Sequence, residues 1–290
     1  MKRSIFRCLN VLIVLFFLSG MMPLMAQYKG DSWKSAQASG KATISMAYVE
    51  TPGFVYKDGN GQLTGICIDI MKDFTNYVKE NKGVDLEMRF VGDGASFSTM
   101  YNSVKGSSGG VFGLGNITIR ESRKKEVKFS PPFITNFAIL VTQNNVPTLS
   151  KMEDISTTFG GMTAYTAKGT TNAKRLLDIK KKHYPGMKVS YASSSPEALE
   201  KVLSDKSSFS YLDLAFYLDA VKRKKPLKRH PIGDQSTEKF GFTMPLNSDW
   251  QPIMEEFFAA NGGYTESIAY KKILSKHLGV TGANLLKSAE

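Results

Sequence analysis

GNITIRESRKKEVKFSPPF, residues 115–133, packs Arg120, Arg123, Lys124, Lys125 and Lys128 between two apolar stretches. So many cations in one short segment need either water or a partner, and composition alone favours water. The chemistry of one of them stands apart. Arg123 is a rigid fork of N–H donors, the natural partner of a carboxylate, and Thr118 places a hydroxyl donor nearby in the chain.

On both sides of this segment the hydrophobic period alternates. Upstream, Ala42, Ile44, Met46 and Tyr48 alternate with more polar residues, a strand signal. After the turn KDGNGQLTG (57–65), Ile70, Phe74, Tyr77 and Val78 share one helical face behind Asp69. Residues 85–91 then read as a strand, 97–104 as a helix, and VFGLGNITI (111–119) as a strand passing into a loop. Downstream, FAILVTQ (137–143) is a buried strand, and Ser150 to Glu153 have capping-box spacing for a short helix. FGGMTAYTAKGTTNAKRLLDI (159–179) reads as strand, glycine-containing loop, and helix with Ala173, Leu176 and Leu177 inward. Ser195-Pro196-Glu197 is a cap with proline at the first helical position, and FSYLDLAFYLDAV (209–221) joins an apolar strand to a helix near Asp213. KFGFTMPL (239–246) is one more strand, and 249–278 are two helices broken at Gly262-Gly263. Such alternation argues an α/β fold with mostly parallel sheets.

The chain opens with Lys2, Arg3 and Arg7, an apolar run from Leu9 to Leu18, and the small-residue site Leu24-Met25-Ala26. That is the order of a secretory signal peptide, residues 1–26, and its apolar core is short for a membrane span. Cleavage after Ala26 and a soluble, periplasmic protein are expected, with 27–39 as a linker that shows no apolar period. Cys8 leaves with the signal, and Cys67 reads as a small buried apolar residue, so neither an intramolecular disulfide nor a cysteine zinc site is available. About 264 residues remain, enough for one large domain or two, and the formal charge falls from +12 to +9. Nucleic acid is not an expected partner: aromatics do not interleave the basic clusters, and export removes most nucleic acid.

His183, His230 and His277 lie far apart in Lys-rich contexts, outside any metal-ligand spacing, and read as surface residues. There is no nucleophile elbow, phosphate loop or dinucleotide fingerprint, and no metal or cofactor is expected. What survives suits binding. KGTTN (168–172) can set Thr170 and Thr171 at a helix start, where free N–H groups and the helix dipole favour an anion. Asp213, ending an apolar strand, is either a helix cap or a carboxylate for an ammonium group. With Arg123 and Thr118 these residues make a receptor for a zwitterion.

The same residues carry a resemblance to the periplasmic amino-acid-binding proteins of ABC transporters, the solute-binding family 3 type, over about Lys41 to Gly279. LTGICIDIMKDF is similar to the family's LxGFDVDLxxAI, and NITIRESRKKEVKFSPPF to GMTITPERxxxVDFSxPY. AKGTTNAKRLL resembles xxGSTxxxxL, and YLDLAFYL resembles xxDxxxxxYx. The resemblance implies a two-lobed Venus-flytrap fold: lobe 1 from 40–142 plus 236–290, lobe 2 from 143–235, with crossings near VTQNN and GDQSTEKF. It implies Arg123 on an α-carboxylate, helped by Thr118 and the Thr171 amide, and Asp213 on an α-ammonium with the Asn116 carbonyl. Phe54, Phe97 and Tyr48 would line the side-chain pocket.

Departures from the pattern are specific. Arg120 stands where a threonine is usual and would select an acidic side chain if it faced the cleft; Asn116 replaces a small Gly or Ser; Thr51 lies near a position often aromatic. The expectation is a monomeric binding protein that presents an amino acid to an ABC permease. Two alternatives stay open: a cyclohexadienyl dehydratase-like enzyme, with Glu50, Glu238 or Lys168 as acid or base, and a sensory protein acting in trans.

Overall fold

The computed structural model describes residues 27–287. The expected signal peptide, with Cys8, lies outside the described residues. In the first sheet, β1 (Lys41–Tyr48) runs parallel to β4 (Asp85–Val91) and β5 (Val111–Leu114), with Ile44 opposite Met88 and Ser45 opposite Val111. β13 (Thr243–Pro245) pairs antiparallel with both β5 and β6 (Val127–Phe129), giving the order β4-β1-β5-β13-β6. A hairpin, β2 (Tyr56–Lys57) and β3 (Leu63–Thr64), leads into helix α2 (Ile66–Lys82). Gly65 starts that helix at φ 132°, and a side chain there would meet the Phe54 carbonyl at 2.2 Å. Ile70, Phe74 and Val78 are buried as their spacing predicts.

The stretch expected as a linker is instead folded onto β1, with Asp31 N donating to Thr43 O at 2.9 Å and the Ser45 hydroxyl donating to Lys29 O at 2.6 Å. Helix α1 (Trp33–Ser39) is capped by Ser32, whose side chain accepts from Ser35 N, and it buries Trp33 against Trp250 at 5.1 Å. Trp250, fully buried, also meets Phe74 and Phe112. Two buried side chains, Trp33 and Ala36, are too few to show a period in the sequence.

The second sheet has the order β11-β7-β10-β8-β9, with β12 also on β7. Its strands are β7 (Ile134–Gln143), β8 (Thr163–Ala167), β9 (Lys188–Ala192), β10 (Ser208–Asp213), β11 (Leu227–Arg229) and β12 (Gln235–Phe240). Both sheets are mixed: β8 runs parallel to β9 and β10, while β10, β11 and β12 are antiparallel to β7. β7 and most of β12, which the sequence reading placed in lobe 1, hydrogen-bond within the second sheet. The chain therefore changes sheets at Pro131–Phe133 and again at Gly241–Phe242, where Phe133 N donates to Phe240 O at 2.9 Å and Ser130 N to Phe242 O at 2.9 Å. A buried apolar strand looks the same from sequence whichever sheet receives it.

Helices α6 (Thr171–Lys182), α7 (Ser195–Ser204) and α8 (Leu214–Lys222) pack on the second sheet. The cap of α7 is Ser194, one residue earlier than expected, with Pro196 at the second helical position. Leu177 is 44% exposed, and Ile179 takes the inward place. The capping box at Ser150 does not form: a short 3-10 turn, Met152–Asp154, starts at Lys151 without a side-chain cap. Helix α3 (Phe97–Lys105) packs on the first sheet, α9 (Gln251–Ala259) packs on α2 through Phe257 against Phe74 and Tyr77, and α10 (Ile268–Lys287) kinks at Gly279. Among the described residues no helix is long and apolar enough to cross a membrane.

Two histidines expected at the surface are buried. His277 lies between Asp69, at 2.8 Å from Nε2, and the Tyr56 hydroxyl, at 3.0 Å from Nδ1. His230, fully buried, accepts from Leu149 N at Nδ1 (3.0 Å) and meets Thr142 Oγ1 at Nε2 (2.8 Å). Lysine-rich flanks hide such residues because the flanking chains point to water while the ring does not. Protonating His230 would set two donors against each other at Nδ1, and burial, then Lys228, pushes it down to about 4. The unfolded chain then binds the extra proton between about pH 6.5 and 4, so stability from this residue falls as pH falls through that window. Urea unfolding at pH 7 and pH 4.5 is expected to show a larger acid loss in wild type than in His230→Gln; an equal loss in both would refute the assignment.

Candidate functional site

The residues after β5 are held by the second crossing strand. Gly115 sits at φ 147°, where a Cβ would meet Val49 Cγ1 at 2.6 Å. Ile119 N then donates to Lys239 O at 2.8 Å, and Gly241 N donates to Ile117 O at 3.1 Å. This bracket buries Ile117 and leaves Asn116 and Thr118 lining the cleft. A single helical turn, α4 (Glu121–Lys124), returns the chain and carries Arg123 back to Thr118.

Here the basic segment divides. Lys124 pairs with Glu121 at 2.7 Å, Lys125 is exposed, and Lys128 donates to Ser248 O at 2.7 Å. Arg123 is only 7% exposed. Its guanidinium donates to Thr118 O at 2.9 Å and Gly169 O at 3.1 Å, and lies over the rings of Phe97 (4.8 Å) and Tyr101 (5.5 Å). It makes no ion pair among the described residues. Burial first, and then the Arg120 charge, push it down to about 10, still a cation at neutral pH. Arg120 itself caps α4 and does not line the cavity, so it does not stand where it could select a ligand side chain.

Asp213 ends β10 and precedes α8, but its side chain makes no capping bond; Leu214 N donates instead to Asn136 Oδ1 at 3.3 Å. Asp213 thus holds the N-cap position by its backbone alone. Its carboxylate takes three amides: Asn172 Nδ2 at 3.1 Å and Asn136 Nδ2 at 3.3 Å on Oδ1, and Asn116 Nδ2 on Oδ2. Burial, and next the Glu238 charge, push Asp213 up to about 6. Beside it lies a buried ion pair, Arg175 to Glu238 at 2.9 Å, with Arg175 also holding Asn172 Oδ1 at 2.7 Å. Glu238 accepts from Thr118 Oγ1 at 3.2 Å and Asn136 Nδ2 at 3.4 Å, so the strand between the sheets touches both halves of the cleft.

Arg123, Asp213, Asn116, Thr118, Thr170, Thr171 and Phe97 line one cavity. Thr170 caps α6, accepting from Ala173 N at 3.1 Å, and the Thr171 hydroxyl donates to Thr118 Oγ1 at 3.1 Å. Tyr48 and Phe54 do not line it. Tyr48 packs edge-on against Phe90, and Phe54 is buried against Phe133 and Phe240. The alternation of β1 marks Tyr48 as inward, and inward here means the core, where Phe54 also lies. Of the acid–base candidates, Glu50 lines the cavity but pairs with Lys57 at 3.1 Å; Glu238 is tied to Arg175, and Lys168 is exposed. Sequence reasoning missed Asn136, Asn172 and Arg175. Asn172 and Arg175 lie one and four residues beyond Thr171, on the same first turns of α6; Asn136 sits in an apolar strand and gives no signal.

The cavity encloses about 30 Å³, too little for an amino acid, because the cleft is shut. Hydrogen bonds that cross it include Asn116 to Asp213, Thr171 to Thr118, Thr118 to Glu238, and Arg123 to Gly169.

No curated protein matches this sequence. Among solved structures, an ancestral arginine-binding protein bound to glutamine is similar with a TM-score of 0.65 at 23% identity, over 82% of this chain and 98% of that one. The arginine-, lysine-, histidine-binding protein ArtJ from Geobacillus stearothermophilus has a TM-score of 0.64 at 18% identity, over 82% and 95%. An ancestral amino acid-binding protein, described as a precursor of cyclohexadienyl dehydratase, has a TM-score of 0.63 at 20% identity, over 84% and 98%. At these identities the likeness shows the two-lobed fold. The family model of the bacterial extracellular solute-binding proteins, family 3, matches residues 44–280, and the chain belongs to that family.

Proposed function

We propose that the protein is a periplasmic receptor for an α-amino acid, which it holds between its lobes and presents as a monomer to an ABC permease. Lobe 1 would comprise 40–132 with 241–287, and lobe 2 would comprise 133–240. The observation that carries this reading is a buried Arg123 with no acidic partner among the described residues, lining the same cavity as the buried carboxylate of Asp213. Arg123 would take the ligand carboxylate with the Thr118 hydroxyl and the Thr171 amide, and Asp213 would take the ammonium. Both lobes supply groups, so a ligand gains more from the closed form and shifts the population toward it.

The dehydratase reading needs an uncommitted acid or base in the cavity. Of the residues weighed for that role, Glu50 and Glu238 are engaged by cations and Lys168 lies outside the cavity, while Asp213 is assigned to the ammonium.

Removing one partner of a desolvated charge pair costs about 2–5 kcal/mol. Calorimetry with the best-binding L-amino acid is therefore expected to show at least a roughly thirtyfold loss in Arg123→Ala. Lys124→Ala, whose side chain faces water, should bind as wild type does; equal affinity in both variants would overturn the assignment. A second expectation concerns pH. An ammonium ligand needs Asp213 ionised, and the free protein holds it at about 6. Binding should release a proton and weaken as pH falls below about 6, with no proton release near pH 7.5. Identical affinity and proton balance at pH 5 and 7.5 would contradict the role of Asp213.

A further inference from the structure

We propose that Asn116 is a specificity-determining residue: its side-chain amide occupies the ammonium position on Asp213 until a ligand displaces it. The inference rests on the amino-acid receptor reading above. Asn116 Nδ2 donates to Asp213 Oδ2 from the opposite side of the cleft. Its Oδ1 accepts from Thr51 Oγ1 at 2.9 Å, which holds the amide with its N–H₂ toward the carboxylate. The two other amides, from Asn172 and Asn136, both take Oδ1. Oδ2 is therefore the oxygen that faces the cavity, and Asn116 is the group that covers it.

Three consequences follow from the chemistry. An amide is a weaker partner for a carboxylate than an ammonium, which brings a full charge and three donors. An amino acid thus wins the exchange but forfeits part of the gain. A carboxylate ligand without an amine does not leave Asp213 unpaired, because Asn116 stays in place, so the usual penalty for a missing donor is reduced. The Asn116–Asp213 bond also spans the closed cleft, together with Thr171 to Thr118 at 3.1 Å. Asn116 thereby weakens affinity for amino acids and relaxes the demand for an amine.

Asn116→Gly and Asn116→Ser provide the test, the serine variant guarding against a loss of fold from adjacent glycines. Calorimetry would use the twenty L-amino acids and the des-amino carboxylate of the best binder, with small-angle scattering of each ligand-free protein. Both variants are expected to bind the amino acid about tenfold more tightly, or about 1.4 kcal/mol. The des-amino analogue should gain nothing, and the ligand-free variants should be less compact. Wild-type binding that is unchanged or weakened by both substitutions would overturn the role of Asn116. Failure of all three proteins to bind any amino acid would instead refute the receptor reading, and the ammonium role with it.

Discussion

A buried guanidinium, Arg123, with no acidic partner among the described residues is the constraint around which this protein is arranged. Taking such a charge out of water costs several kcal/mol unless its donors are met. Arg123 meets the cost with two carbonyl oxygens and two aromatic faces, none of which neutralises it. Every device that holds it there comes from a different part of the chain: the Thr118 carbonyl from the segment bracketed by the second crossing strand, the rings from α3, and Gly169 from the loop before α6. A structural cation at this depth would be expected to carry a carboxylate partner, as Arg175 does with Glu238. In the reading proposed above, the contrast between the two buried arginines is that between a charge held for the fold and a charge held for a ligand.

The opposite pole is built on the same economy. Asp213 is surrounded by neutral amides and lies near Glu238, and both burial and that like charge favour its protonated form. Arg175 pulls in the other direction and fixes Asn172 in line with the carboxylate. β7 and β12 supply Asn136 and Glu238, so these supports lie within the second sheet with Asp213 itself. Motion of one sheet relative to the other would act instead on Asn116 to Asp213 and Thr118 to Glu238.

Much of the fold was legible because the period of the apolar residues switches cleanly between two and 3.6, as at Ala42 to Tyr48 and at Ile70 to Val78. Arg123, Thr118, Thr171 and Asp213 stand at spacings that carry a resemblance, and the structure brings all four to one cavity. What stayed hidden depends on partners distant in the chain. Periodicity could not say that β7 joins the second sheet, that Trp33 docks on Trp250, or that His230 is sealed between Leu149 and Thr142. The resemblance implied Phe54 and Tyr48 in the pocket, but an apolar residue does not declare whether it faces core or cleft, and both pack in the core. Asn116 was visible only as a departure; its meaning required seeing Asp213 opposite.

The central claim is that Arg123 and Asp213 are the two poles of a zwitterion site. A crystal structure grown with the L-amino acid that binds best tests it most directly. The account predicts the ligand carboxylate within hydrogen-bond distance of the Arg123 guanidinium, its ammonium on Asp213 Oδ2, and the Asn116 amide displaced. A ligand seated elsewhere, with Arg123 still bonded only to Thr118 and Gly169, would contradict it.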